Sequence, residues 1–134
     1  MQYTKENIIQ GDNGTLELSL YPIGEPTETT LNRAIDRLKV AFPYQNSQFF
    51  ELLKERVIFH KFSDERLRDA IDNIIDNYTY KTLTIANIIS YNRTIPLYTM
   101  RQKVAIVNSY TMERRQPPQF EVVTIDNTAY YKQI

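Results

Sequence analysis

Hydrophobic positions along this chain change their period twice. In GTLELSLYPIGEPTE, Leu16, Leu18 and Leu20 alternate with polar residues at period two, which suits a short strand before Pro22, Gly24 and Pro26 interrupt it. A mobile acidic arm fits residues 1–28 equally well, and the pattern alone leaves that choice open. From Thr29 the spacing becomes helical: with Thr29 or Thr30 as cap, Leu31, Ala34, Ile35, Leu38 and Phe42 share one face. Pro43 ends this helix, because a proline disfavours helical geometry in the residue before it. A second helix restarts at Asn46 or Ser47, with Phe49, Phe50, Leu53 and Val57 inward and Glu51 and Glu55 outward.

The third helix has the clearest pattern. Ser63 caps it, Asp64 and Glu65 suit its positive end, and Phe62 can staple to Leu67. Leu67, Ala70, Ile71, Ile74, Ile75 and Tyr78 then make one stripe. In YKTLTIANIISYN, Thr82 or Thr84 caps a two-turn helix with Ile85, Ile88 and Ile89 on one face. A helix that short is marginal in water, so its isoleucines must dock on the others. Thr99 and Gln102 form a capping box ahead of MRQKVAIVNSY, where Met100, Val104 and Val107 are expected inward. After Pro117 and Pro118 the period returns to two. FEVVTIDNTAYYKQI reads as a hairpin turning at Asp126 and Asn127. A lone hairpin is unstable, so it should dock on the helices, pair with the Leu16–Leu20 run or pair with another chain.

The expected fold is therefore mainly α (α+β), a compact bundle of four to five helices with a C-terminal β-hairpin. Its expected organisation is an acidic arm over 1–28, a helical bundle over 29–112 and a hairpin over 119–134 docked on the same domain.

Composition narrows the function classes. The 134 residues suffice for one ordinary domain, 42% of them hydrophobic and 24% charged. Cysteine is absent, which removes disulfides, thiol chemistry and cysteine-ligated metals. MQYTKENIIQGDNG has no basic stretch followed by an apolar one, so no secretory signal is read and a cytoplasmic location is expected. No apolar run approaches the roughly 20 residues that span a bilayer. Net charge is zero but uneven: −4 over 1–28, +1 over 29–91 and +3 over 92–134. A dedicated nucleic-acid binder usually shows a larger basic excess, since phosphate neutralisation supplies most of its affinity.

Candidate chemistry is sparse. His60 is the only histidine and falls at the end of the second helix, where a protonated ring suits the dipole; no serine elbow or second histidine offers it a nucleophile. The three glycines, at 11, 14 and 24, give no phosphate-cradling loop to the helical region. No enzyme activity, cofactor or metal is expected. Asp69, Asp72 and Asp76 share a face of the third helix, which could meet a partner or simply face solvent. Arg93, Tyr98, Arg101, Lys103, Tyr110, Arg114 and Arg115 form the other candidate group, because arginine with stacked tyrosine is how single strands are often held. They fit an ordinary solvated surface as well.

LNRAIDRLKVAFPY followed by FFELLKERVIFHKFSDERLRDAIDNIIDNYTYKTLTIANIISY, within residues 31–91, is similar to the N-terminal helical domain of phage replicative helicase loader/inhibitor proteins. The matching positions are Phe42 and Pro43 at the break, Ala70 and Ile74 in the third helix, and Thr84, Ile85, Ala86 and Ile88 in the short one. Leu83 stands where that family usually has proline, and Phe49 or Phe50 where it usually has tryptophan. The resemblance implies a non-enzymatic adaptor of phage or mobile-element DNA replication whose partner is a replicative helicase. The residues themselves leave two alternatives: a small nucleic-acid-binding module resembling a winged helix, and a structural protein that self-associates through its hairpin edge.

Overall fold

The computed structural model describes residues 2–134. It has five helices and two small antiparallel sheets, the second a C-terminal β-hairpin, so the fold is mixed α+β. The chain divides into two compact units: residues 21–92, which hold the first four helices, and residues 2–20 with 93–134, which hold every strand and the last helix. No helix among the described residues is long and apolar enough to cross a membrane.

In the helical unit, α1 (Glu28–Ala41), α2 (Ser47–Phe59) and α3 (Asp64–Asn77) bury the stripes expected of them. Leu38, Leu53, Val57, Leu67, Ala70 and Ile71 are almost wholly enclosed. The cap of α1 is Thr27 rather than Thr29 or Thr30: its hydroxyl accepts the Thr30 N–H at 3.3 Å. All three threonines can cap; a long-range contact decides between them. Asp64, the first residue of α3, accepts the Thr27 N–H at 2.7 Å and the Thr27 hydroxyl at 3.0 Å. Those bonds hold the Asp64 carboxyl below its ordinary value. A lowered carboxyl stabilises the fold above its ordinary pKa and loses that contribution as pH falls through the folded value. Stability should therefore drop below about pH 4, and Asp64→Asn should flatten that part of a urea-midpoint profile against pH. An unchanged slope would remove the clamp from the account.

The α2–α3 turn closes through Lys61 at φ 56, with the Phe62 N–H donating to Val57 O at 3.1 Å. This motif turns Phe62 into the core, where it and Leu67 are both buried, as the expected staple requires.

The short helix α4 (Ile85–Ile89) is capped by Thr84, and Asn87 returns a bond to the Thr84 N–H at 2.9 Å. Ile88 and Leu83 enter the core of the three longer helices. At the far end, Arg66 lies 3.9 Å over the Phe62 ring and donates to Tyr91 O at 2.9 Å and Ile89 O at 3.2 Å. One arginine thus satisfies carbonyls that a two-turn helix leaves open. Packing and both ends together answer how so short a helix persists.

In the other unit the Leu16–Leu20 run becomes β2 (Leu16–Ser19), pairing antiparallel with β1 (Ile8–Gln10) and β3 (Thr94–Leu97). β3 is a strand that the sequence hides: four residues with Pro96 among them, opposite Glu17 on the sheet edge, where a missing N–H is tolerated. α5 (Met100–Met112) starts at the Thr99–Gln102 capping box as expected. The hairpin β4 (Phe120–Ile125) and β5 (Thr128–Gln133) turns at Asp126 and Asn127, φ 48 and 65. Reciprocal 2.8 Å bonds between Tyr98 and Tyr131 join it to β3, and the Lys5 N–H donates to Asp126 Oδ2 at 3.0 Å.

Two expectations need correction. The 29–112 bundle ends at 92, and α5 belongs with the strands, because Leu18, Leu97 and Ile125 draw both ends of the chain around a separate core. Nor do Met100 and Val104 point inward: both are exposed, while Val107 is half-buried and α5 has no fully buried residue. Its apolar residues are spread around the helix and give no single stripe.

Candidate functional site

The seven basic and aromatic candidates of the C-terminal third all lie in the strand-bearing unit. Lys103 and Tyr110 are seven residues apart on one face of α5, and Lys103 Nζ sits 4.5 Å from the Tyr131 ring. Arg101 is about 200° round the helix from Lys103. Tyr98 packs edge-on against Phe120, with 5.7 Å between centroids, and Arg93 precedes β3, its carbonyl accepting the Leu20 N–H at 2.9 Å. Arg114 takes the left-handed position after α5 at φ 57, and the Arg115 N–H returns to Tyr110 O at 2.9 Å. The Arg115 guanidinium is engaged by Glu113 at 2.6 Å and lies 4.3 Å from the Tyr110 ring. These two arginines terminate the helix.

The acidic face is also taken up in part. Asp69 accepts the Tyr21 hydroxyl at 2.8 Å, and Asp72 pairs with Arg37 at 2.7 Å, whereas Asp76 stays on the exposed side of α3. Tyr21 is buried, and burial first, then its bonds to Tyr91 and Asp69, push its phenol well above the ordinary range. The tyrosine therefore stays neutral and donates. Among the described residues no group of histidine and carboxylates could hold a metal ion.

His60 caps the C-terminal end of α2. Desolvation foremost, then Arg56 and Arg66, lower its pKa, and its Nε2 lies 3.1 Å from Arg56 Nη2. Burial and the two guanidiniums thus disfavour the protonated ring that the helix dipole alone would suit.

What the structure adds is the outer side of α5. The i, i+4 row Met100, Val104, Asn108 and Met112 faces away from the sheets, with Met100 53%, Val104 47% and Met112 84% exposed. Alongside runs a groove of about 540 Å³ between α5 and the β2–β3 pair. Leu16, Pro96, Leu97, Ala105 and Ile106 make it chiefly apolar, and Glu17 and Gln102 are its polar markers. Gln102 Nε2 donates to Gly14 O at 3.0 Å, fixing the start of α5 beside the β1–β2 turn. Sequence reading marked the start of α5 but missed the groove, since its walls come from segments some eighty residues apart.

A second concavity, about 270 Å³, lies between α1 and α3 and is lined by Arg33, Arg37 and Arg68. No sequence candidate included Arg33 or Arg68. The available signal was a like-charged i, i+4 pair on α1, Arg33 with Arg37.

Comparison of the chain with family models, with curated proteins and with solved structures finds no match.

Proposed function

We propose that this chain is a non-enzymatic adaptor that docks an amphipathic helix of a protein partner against α5. The partner is the replicative helicase that the resemblance of residues 31–91 implies. The observation that carries the reading is that α5, a thirteen-residue helix, buries none of its side chains and turns an apolar row outward beside an apolar groove. Helices that recognise a partner helix present such i, i+4 rows. Methionines at both ends of the row suit docking, because an unbranched thioether adapts to an irregular surface. Arg101 and Arg114 flank the row and favour a partner helix with acidic flanks, steering encounter more than adding affinity.

The test is direct binding to the purified hexameric helicase of the same replication system, followed by analytical ultracentrifugation. Binding in the micromolar range is expected. Val104→Asp with Met112→Asp should weaken it at least tenfold, about 1.4 kcal/mol, with an unchanged circular-dichroism spectrum because both positions are exposed. Absence of binding up to about 100 µM, or full binding by the double variant, would reject the reading.

A further inference from the structure

Helices α1 and α3 run side by side in the same direction. Their heads are joined by Thr27 and Asp64, and further along Arg37 meets Asp72 at 2.7 Å. One turn back towards the head of each helix stand Arg33 and Arg68, which line the same cleft. The Arg37–Asp72 rung sets opposite charges together. Arg33 and Arg68 are like charges on the same cleft lining, and neither arginine has an ion pair among the described residues. Asp64 lies close enough to feel the charge of Arg68, but its oxygens are occupied by Thr27. Ala34 and Ile71, both buried, give the cleft an apolar floor that offers no counter-charge.

The geometry points to a binding site for a phosphoryl group carried by a small anion, either free phosphate or pyrophosphate or the phosphate tail of a nucleotide. With Arg37 neutralised by Asp72, the cleft keeps an excess of two positive charges, which a phosphoryl dianion matches and a single carboxylate does not. Guanidinium groups suit the task because their planar fork meets two phosphate oxygens at once. Arg33 and Arg68 approach from opposite walls, and Arg37, held in place by Asp72, presents its remaining N–H donors beside them. Thr29 lines the same cleft and can add a neutral hydroxyl donor, whereas the Thr30 hydroxyl is engaged by Thr27 and Asp64. At about 270 Å³ the cleft is smaller than the roughly 300–1,000 Å³ of pockets that enclose a whole organic ligand. It takes the phosphoryl head and leaves the rest of a nucleotide outside.

Amide-resolved NMR titration of the full chain, at constant ionic strength held with chloride, tests this with inorganic phosphate, pyrophosphate and adenosine triphosphate in separate arms. Saturable shifts confined to residues 29–37 and 68–72 are expected in at least one arm. Arg33→Gln with Arg68→Gln should weaken binding at least tenfold while the ligand-free chain keeps its amide spectrum and a cooperative melt, since both side chains are exposed. Shifts with phosphate or pyrophosphate identify the free anion as sufficient; shifts with the triphosphate alone identify a nucleotide. No saturable shift in any arm, equal affinity in the double variant, or binding only of a single-stranded oligonucleotide would overturn the assignment.

Discussion

Replacing Ile88 with aspartate is expected to leave the 21–92 unit unfolded at room temperature. Ile88 is the one fully enclosed side chain of α4 and sits in the core shared by α1, α2 and α3. Losing a buried isoleucine forfeits about 1.5–3 kcal/mol of transfer free energy. Placing a carboxylate there adds desolvation that no partner offsets, of several kcal/mol more. The sum is comparable with the whole stability of an ordinary domain, about 5–15 kcal/mol. Local rescue is not available, because a five-residue helix cannot persist once its anchor leaves the core. Ile88→Val keeps the branch and most of the volume, should cost only about 0.5–1.5 kcal/mol, and serves as the folded control. Far-UV circular dichroism and thermal melting decide the matter: an aspartate variant that keeps the helical signal and melts cooperatively near the parent would show that α4 is dispensable.

That prediction could be framed from the sequence because α1 to α4 are written locally. Leu67, Ala70, Ile71 and Ile74 recur at helical spacing, and Ser63 and Thr84 mark starts whose hydrogen bonds close within three residues. Asp126 and Asn127 mark the hairpin for the same reason, since the left-handed backbone they adopt is a property of the residues themselves. What stayed hidden depends on distant partners. β3 is too short, and too compromised by Pro96, to read as a strand until Leu16 and Leu18 are seen across from it. Thr27 outranks its neighbouring threonines as a cap only because Asp64 reaches it from another helix. Met100 and Val104 face outward against expectation because a capping box fixes where a helix starts and says nothing about which side will be covered. Arg33 and Arg68 line one cleft only once α1 and α3 run parallel, so neither residue could be singled out beforehand.

The second unit rests on a thinner core, and Ile125→Ala should expose that. Its buried hydrophobic cluster is Leu18 from β2, Leu97 from β3 and Ile125 from β4, each strand contributing one enclosed side chain, with half-buried residues such as Ile8, Val123 and Tyr130 around them. Ile125 is wholly enclosed and pairs with Thr128 at the turn, so a void there is held open by the ladder on one side and by the β2–β3 pair on the other. Truncating a buried isoleucine to alanine costs about 2–5 kcal/mol, the upper part of the range applying where the surroundings cannot collapse. A core of three fully buried residues has little to offset it. Hydrogen exchange should show the β2, β3, β4 and β5 amides losing protection by a factor of about 30 or more; unchanged protection of those amides would show that Ile125 does not hold the sheets together. The same change bears on the proposed docking without touching the α5 row itself. α5 reaches this unit through Lys103 over the Tyr131 ring and Gln102 on Gly14 O, and both supports belong to segments that the Ile125 core orders. Partner binding should therefore weaken in Ile125→Ala although Met100, Val104 and Met112 are intact. On the proposed reading, the row on α5 would meet a partner only while the strands beneath hold it in place.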